Sequence, residues 1–238
     1  RRQRQMCIRD RYKEEGYLKE GLVNFLGLMG YSYGDGQEIF SLQEFKDNFN
    51  IDKVTLGGPV FDLVKLGWVN NQHMKMKDLG ELTRLTIPFF VQEGYFENEN
   101  VSEKEFETLK KIVAIEREGA KTLKEIAKNS EFFFIDEFTL PEVKEDMDKK
   151  ERKSIEKLLN SLQDEVGLKA IKLLIDKLEK WESNEFTAEE AKDLLHSLLD
   201  DLQEGPGKIF MPLRAVLTGA AKGADLYNIL YVIGKERA

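Results

Sequence analysis

The chain reads as mainly α-helical, and three observations carry that reading. Apolar residues recur at helical spacing through most of its 238 residues. Hydroxyl residues stand three positions before glutamates where several of these runs begin. The composition is 41% hydrophobic and 34% charged with only 5 Pro, the balance expected of packed amphipathic helices.

Taken in order, the first run spans Glu14 to Met29, where Tyr17, Leu18, Leu22, Phe25, Leu26 and Met29 share helical spacing and Gly30 supplies a stop. Gly34-Asp-Gly36 marks a turn. Ser41 is placed to cap a short helix containing Leu42, Phe45 and Phe49, and Gly57-Gly-Pro59 breaks the chain after it. In the segment Phe61 to Trp68, the large residues Phe61, Leu66 and Trp68 read as core. Thr86-Ile-Pro-Phe-Phe-Val91 reads either as a short extended connector or as a helix start, since Pro fits a first helical turn.

Three later helices open with one grammar, Ser102 with Glu105, Thr122 with Glu125 and Thr187 with Glu190. In such a capping box, hydroxyl and carboxylate satisfy each other's free backbone amides. The first of these helices would bury Phe106, Leu109, Ile112 and Val113, and the last Leu194, Leu195, Leu198 and Leu199. Val143 to Leu162 and Val166 to Trp181 repeat the pattern, and Arg214 reads as the start of a further helix. Pro141, after the aromatic Phe132-Phe-Phe134, is the expected domain boundary, with an earlier one near Leu79 to Phe90.

Composition excludes several classes of function. No window approaches the roughly 20 apolar residues that span a bilayer, and the amino terminus has no signal-peptide pattern. A single cysteine, Cys7, permits neither an intrachain disulfide nor a cysteine metal cluster, which fits a reducing cytoplasm. The adjacent carboxylate pairs Glu14-Glu15, Glu189-Glu190 and Asp200-Asp201 diverge around a helix and cannot jointly grip an ion. No metalloprotease helix, nucleophile elbow or Gly-rich phosphate loop is present. Charge runs such as Lys144 to Arg152 read as solvated helix faces. The net charge of -8 opposes nucleic-acid binding as a whole-chain property, although from Lys208 to Ala238 basic residues outnumber acidic ones.

Phe210-Met-Pro-Leu-Arg-Ala-Val-Leu-Thr-Gly219, followed by Asp225-Leu-Tyr-Asn-Ile-Leu-Tyr-Val-Ile-Gly-Lys-Glu-Arg237, resembles the anticodon-binding carboxyl-terminal region of bacterial-type glutamyl-tRNA synthetases, a class I family. Tyr12-Lys-Glu-Glu-Gly-Tyr-Leu-Lys-Glu-Gly-Leu-Val-Asn-Phe-Leu-Gly-Leu-Met-Gly-Tyr31 is similar to the segment that follows their catalytic domain. Phe61-Asp62, Lys65-Leu66, Trp68 and Asn70 meet a further family pattern, so the resemblance spans about residues 12–238. It implies a helical stem-contact region at 12–85 and two small helical-bundle anticodon-binding domains at 86–141 and 142–238. Residues 1–11 do not match and read as a non-native leader, with a solvated basic leader or an RNA-contacting arm as alternatives.

Neither His-x-Gly-His nor Lys-Met-Ser-Lys-Ser, the family's ATP-site signatures, occurs, and the only histidines are His73 and His196. By the resemblance the chain is the back half of a glutamate–tRNA ligase, with no catalytic residue, metal or cofactor of its own. The missing N-terminal catalytic domain of the intact, ATP- and Mg-using enzyme would activate glutamate. The implied partners are tRNA(Glu) and, with relaxed specificity, tRNA(Gln), for a cytoplasmic monomer.

The resemblance also implies site residues. Arg214 would contact anticodon bases or phosphate, as a planar guanidinium can. The loop of Gly223, Ala224 and Leu226 would read the last anticodon base, although Gly223 and Ala224 replace a Thr-Pro of some relatives, and Leu226 has packing with Ile229 and Leu230 as its alternative. Members that discriminate glutamate tRNA from glutamine tRNA carry Arg three residues before the Thr of Thr122-Leu-Lys-Glu125; this chain has Gly119 there, which implies relaxed discrimination. A shift of register would instead give that role to Arg117. His196 stands where some relatives place an anticodon-facing Arg, while His73 reads as packing. A helical protein-binding scaffold is the competing class, and it leaves the family-like blocks unexplained.

Overall fold

The structure is a computed structural model that describes residues 8–31, 36–54, 57–58, 60–135, 140–144, 146–221 and 223–238. Most of the leader with Cys7, the Gly34-Asp35 part of the expected turn, and Pro59 lie outside the described residues. The fold is mainly α; among the described residues the only β contact is an isolated bridge between Tyr31 and Val54. The chain divides into two compact units, residues 1–130 and 131–238.

Unit 1 contains α1 (Ile8–Glu14), α2 (Lys19–Leu28), α3 (Leu42–Asn48), α4 (Leu63–Met76), α5 (Leu79–Gln92), α6 (Glu103–Glu116) and α7 (Leu123–Asn129). The single helix expected from Glu14 to Met29 is instead interrupted between α1 and α2, and Gly16 is the reason. Its φ is +81°, its carbonyl accepts the Leu123 amide at 2.9 Å, and a Cβ there would stand 2.6 Å from the Lys124 nitrogen. Only glycine combines that backbone conformation with so close an approach.

Helix α2 lies along α4 through Phe25, Leu66 and Val69, and α5 packs on α6 and α7 through Leu82, Phe90, Leu109, Ile112 and Ile126. Phe61 and Trp68, expected in the core, are instead 40% and 42% exposed. They share α4 and its approach with Leu66, but a helix buries only the stripe facing its neighbour, and α2 takes the stripe of Leu66 and Val69. Thr86 to Val91 is neither connector nor helix start. It lies inside α5, which is capped by Asp78, whose carboxylate accepts the Glu81 amide at 2.9 Å. Pro88 removes one backbone hydrogen bond from that helix, which continues because Ile87, Phe89 and Phe90 are buried around it.

Asparagine side chains join these layers. Asn70, wholly buried in α4, accepts the Leu18 amide at 2.8 Å and donates to the Lys121 carbonyl at 2.7 Å. Asn24 accepts the Phe40 amide and meets His73 Nε2 at 2.8 Å, and burial pushes the His73 pKa down. His73 is thus a neutral packing residue, as expected.

The capping grammar holds with one variation. Ser102 with Glu105 and Thr187 with Glu190 form full boxes, and Ser41 with Glu44 adds a third. Thr122 accepts the Glu125 amide, but the Glu125 carboxylate reaches back to the Lys121 amide at 2.6 Å.

Unit 2 contains α8 (Lys149–Ser161), α9 (Glu165–Glu179), α10 (Ala188–Leu202), α11 (Pro206–Thr218) and α12 (Leu226–Arg237), around one core that includes Leu174, Leu194, Leu198, Ile209, Leu213 and Ile229. Helix α11 begins at Pro206, a first-turn proline, so Pro212 is internal and Arg214 lies late in the helix, not at its start. Helix α12 kinks at Gly234, and Lys235 then donates its amide to the Asn184 carbonyl at 2.9 Å.

Candidate functional site

In unit 2 the sequence folds its Pro-Leu-Arg segment into the last turns of α11, so Arg214 faces the loop that leads to α12. Thr218 ends the helix by donating its hydroxyl to the Arg214 carbonyl at 2.8 Å while accepting the Ala220 amide at 3.2 Å. Gly219 follows in the left-handed conformation, φ 64°. The chain then turns over the guanidinium, where Arg214 Nη1 donates to the Ala224 carbonyl at 2.7 Å.

Gly223 makes that wrap possible. Its φ is +152°, and a Cβ there would lie 3.4 Å from Arg214 Nη1. A larger residue would be strained in its backbone, with its Cβ already in van der Waals contact with the guanidinium. Arg214, Gly223 and Ala224 are therefore brought together into one seat. Leu226 is not part of its surface: its side chain is 4% exposed, in the core with Ile229 and Leu230, so only the backbone of position 226 faces a ligand.

Half-burial lowers the Arg214 pKa through desolvation, and the nearby Asp225 carboxylate opposes the shift. A guanidinium stays charged under such a perturbation because its ordinary value is so high. Among the described residues, Nη1 alone of its nitrogens has a hydrogen-bond partner. The remaining donors form a fixed planar fork, suited to two parallel hydrogen bonds with a base edge or phosphate, or to stacking on a base.

His196 stands on the exposed side of α10 with Glu189, Lys192, Asp193 and Asp200. Carboxylates outnumber the lysine there, a poor setting for an anionic partner.

In unit 1, Arg117 caps α6 and Gly119 occupies the turn beyond it. Asn71 on α4 fixes this turn from beneath, donating to the carbonyls of Arg117 at 2.8 Å and Ala120 at 2.7 Å. Gly119 is exposed, its φ is not in the left-handed region, and no atom lies within 4 Å of where its Cβ would be. Neither backbone nor packing requires glycine there. Arg117 is half-buried, and its Nε has no hydrogen-bond partner while standing in an ion pair 3.9 Å from a Glu118 oxygen.

Sequence reasoning missed the residue beside it. Glu116 is 7% exposed, its Oε1 has no partner, and burial raises its pKa to about 7 against an opposing hydrogen bond from Asn129. The apolar spacing of Leu109, Ile112 and Val113 could have shown it, because Glu116 continues their stripe.

Comparison with known proteins aligns these features with a defined group. Residues 81–238 match the model of an anticodon binding domain, and residues 1–68 match that of the class I tRNA synthetase (E and Q) catalytic domain. The chain is 88% identical over 227 residues to a glutamate–tRNA ligase of Fusobacterium nucleatum, covering 95% of this chain and 44% of that protein. It is 36% identical to that of Thermus thermophilus, with 96% and 44% covered. A crystal structure of a glutamate tRNA ligase from Elizabethkingia meningosepticum superposes with TM-score 0.71 at 29% identity, covering 95% of this chain and 40% of that one. The chain thus spans less than half the length of the curated relatives it matches.

Proposed function

Because the chain belongs to the glutamate–tRNA ligase family, we propose that its α11–α12 seat binds the anticodon arm of tRNA, with Arg214 as the residue that meets unpaired bases or phosphate. The observation that carries this reading is the Arg214 guanidinium, held by the Ala224 carbonyl with its other donors free of partners among the described residues, inside the stretch matched by the anticodon-binding model. Loop bases present their edges and faces once unstacked, and a fixed guanidinium can read an edge or stack on a face. Surrounding cations that meet phosphates would set register without reading sequence.

The finer assignments rest on the family. The division into a stem-contact region at 12–85 and anticodon-binding domains at 86–141 and 142–238 is part of this reading. A protein of the relatives' full length would join glutamate to tRNA(Glu) with ATP and magnesium, acting in the cytoplasm as a monomer. The ATP-site signatures are not among these 238 residues, so the present chain contributes recognition. With glycine at position 119, no side chain is there to accept one first anticodon base and reject another, and tRNA(Gln) is proposed as a second partner.

The test is binding of the purified chain to glutamate and glutamine tRNAs across a salt series. Arg214→Ala should weaken both complexes while Arg214→Lys restores part of the loss, because a lysine supplies charge without the fork. Failure of the unaltered chain to bind either tRNA at low salt would overturn the proposal.

A further inference from the structure

The outer face of α8 carries a charge pattern that the anticodon reading does not use. Successive helical residues step about 100° around the axis, so Ile155 and Leu158, both buried, define the inner side. Lys149, Lys150, Lys153 and Lys157 fall together on the opposite arc of roughly 100°, and all four are exposed. Glu151 and Glu156 lie outside that arc, Glu156 just beyond one edge and Glu151 at the angle of the inner side, so the arc itself holds no carboxylate.

The helix gains nothing from this arrangement. Lys149 with Lys153, and Lys153 with Lys157, are like charges four residues apart, each such pair costing a few tenths of a kcal/mol. Elsewhere in unit 2 some lysines are paired, Lys169 with Glu165, Lys177 with Asp201 and Lys208 with Glu204, while Lys172, Lys180 and Lys192 are exposed without an ion-pair partner among the described residues, so the mark of α8 is four lysines on one shared arc. None of the four α8 lysines has an ion-pair partner among the described residues. The exposed side of α10, in the same unit, is acidic. In a chain of net charge -8, a cationic stripe with uncompensated self-repulsion is the mark of a surface whose counter-charge arrives with a partner.

We infer that the outer face of α8 is a phosphate-binding rail, on which Lys149, Lys150, Lys153 and Lys157 contact successive phosphates of an RNA backbone. The inference rests on the proposed tRNA binding and names a second contact surface for it. The four lysines are spread over about 12 Å of helix. They are point charges on flexible stems, suited to phosphates and unsuited to base edges. The rail contributes affinity and salt dependence, while base choice stays with Arg214.

The experiment compares the full chain with a variant carrying Lys→Gln at all four positions, using transcribed glutamate and glutamine tRNAs across a salt series. Each lost phosphate contact lowers the slope of log affinity against log salt by roughly 0.7 to 0.9. The slope of the variant should fall by about 3 and its affinity by on the order of tenfold or more at low salt, equally for both tRNAs. Lys→Arg at the same positions should retain slope and affinity, and a variant altered only at Lys153 and Lys157 should fall between. An unaltered chain that binds tRNA with a Lys→Gln variant of unchanged slope overturns the rail and leaves the anticodon seat standing. Loss confined to one tRNA also overturns it, since phosphates are common to both. No tRNA binding by the unaltered chain overturns the rail together with the reading beneath it.

Discussion

Replacing Glu116 by glutamine should make unit 1 more stable at neutral and alkaline pH and leave it nearly unchanged in mild acid. In the folded chain burial raises the carboxyl from 4.5 to about 7, whereas the unfolded chain releases the proton near the ordinary value. Between those two values the folded state holds more protons than the unfolded state, so rising pH removes stability, and the loss is complete above about pH 7. A displacement of this size corresponds to at most about 3 kcal/mol. Glutamine keeps the shape and the approach of Asn129 but has no charge to desolvate, so the variant should lead by up to that amount at pH 8 and by little at pH 5. The assay is urea unfolding at both pH values in a Trp181→Phe background, where Trp68 alone reports and lies in unit 1. Equal effects at the two pH values, or a variant less stable at pH 8, would refute the reasoning by showing that the ionised carboxylate is accommodated.

Other outcomes follow from particular contacts. Asn70→Ala should cost about 3 kcal/mol, because it strands the buried Leu18 amide and the Lys121 carbonyl together; urea unfolding of unit 1 measures it. Gly16→Ala should lower stability by about 2 kcal/mol through a strained backbone and a clash with Lys124, read as a fall in melting temperature. Gly119→Arg should change stability by less than about 0.5 kcal/mol, since nothing lies within 4 Å of the new Cβ. The same substitution should shift tRNA preference toward tRNA(Glu), measured as a ratio of binding constants.

Local rules made much of this chain legible. A hydroxyl three residues before a glutamate fixed helix starts at Ser102 and Thr187, because both halves of that contact lie within one turn. What the sequence hid were distances between segments far apart in the chain. Gly16 looked like one more residue of a helical run, and only its contact with Leu123 and Lys124 shows why the run must break. By local preference the Pro88 segment reads as a connector or a helix start and Arg214 as a helix start, yet tertiary burial carries α5 and α11 through Pro88 and Pro212. At the site, the motif around Arg214 pointed to the guanidinium, but the Ala224 carbonyl that seats it lies across a loop whose path no spacing announced. In sequence, Lys149 and Lys150 read as part of a solvated face, since the arc they share with Lys153 and Lys157 emerges only when the buried side of the helix is known.

The last residues of unit 2 fasten it twice. Beyond the kink at Gly234, the Lys235 amide and ammonium hold the carbonyls of Asn184 and Trp181, and Asn184 returns a hydrogen bond to Glu236. Arg237 then donates to the carbonyls of Phe133 and Ile135, at the point where the unit begins. Its two ends therefore meet, and a short linker could close them into a ring opened elsewhere, away from the Trp181 to Asn184 stretch that holds the tail. The same knot makes Lys235 to Arg237 a structural part of unit 2: removing Gly234 to Ala238 would free both the α9–α10 connection and the helical turn at Phe133 in a single cut.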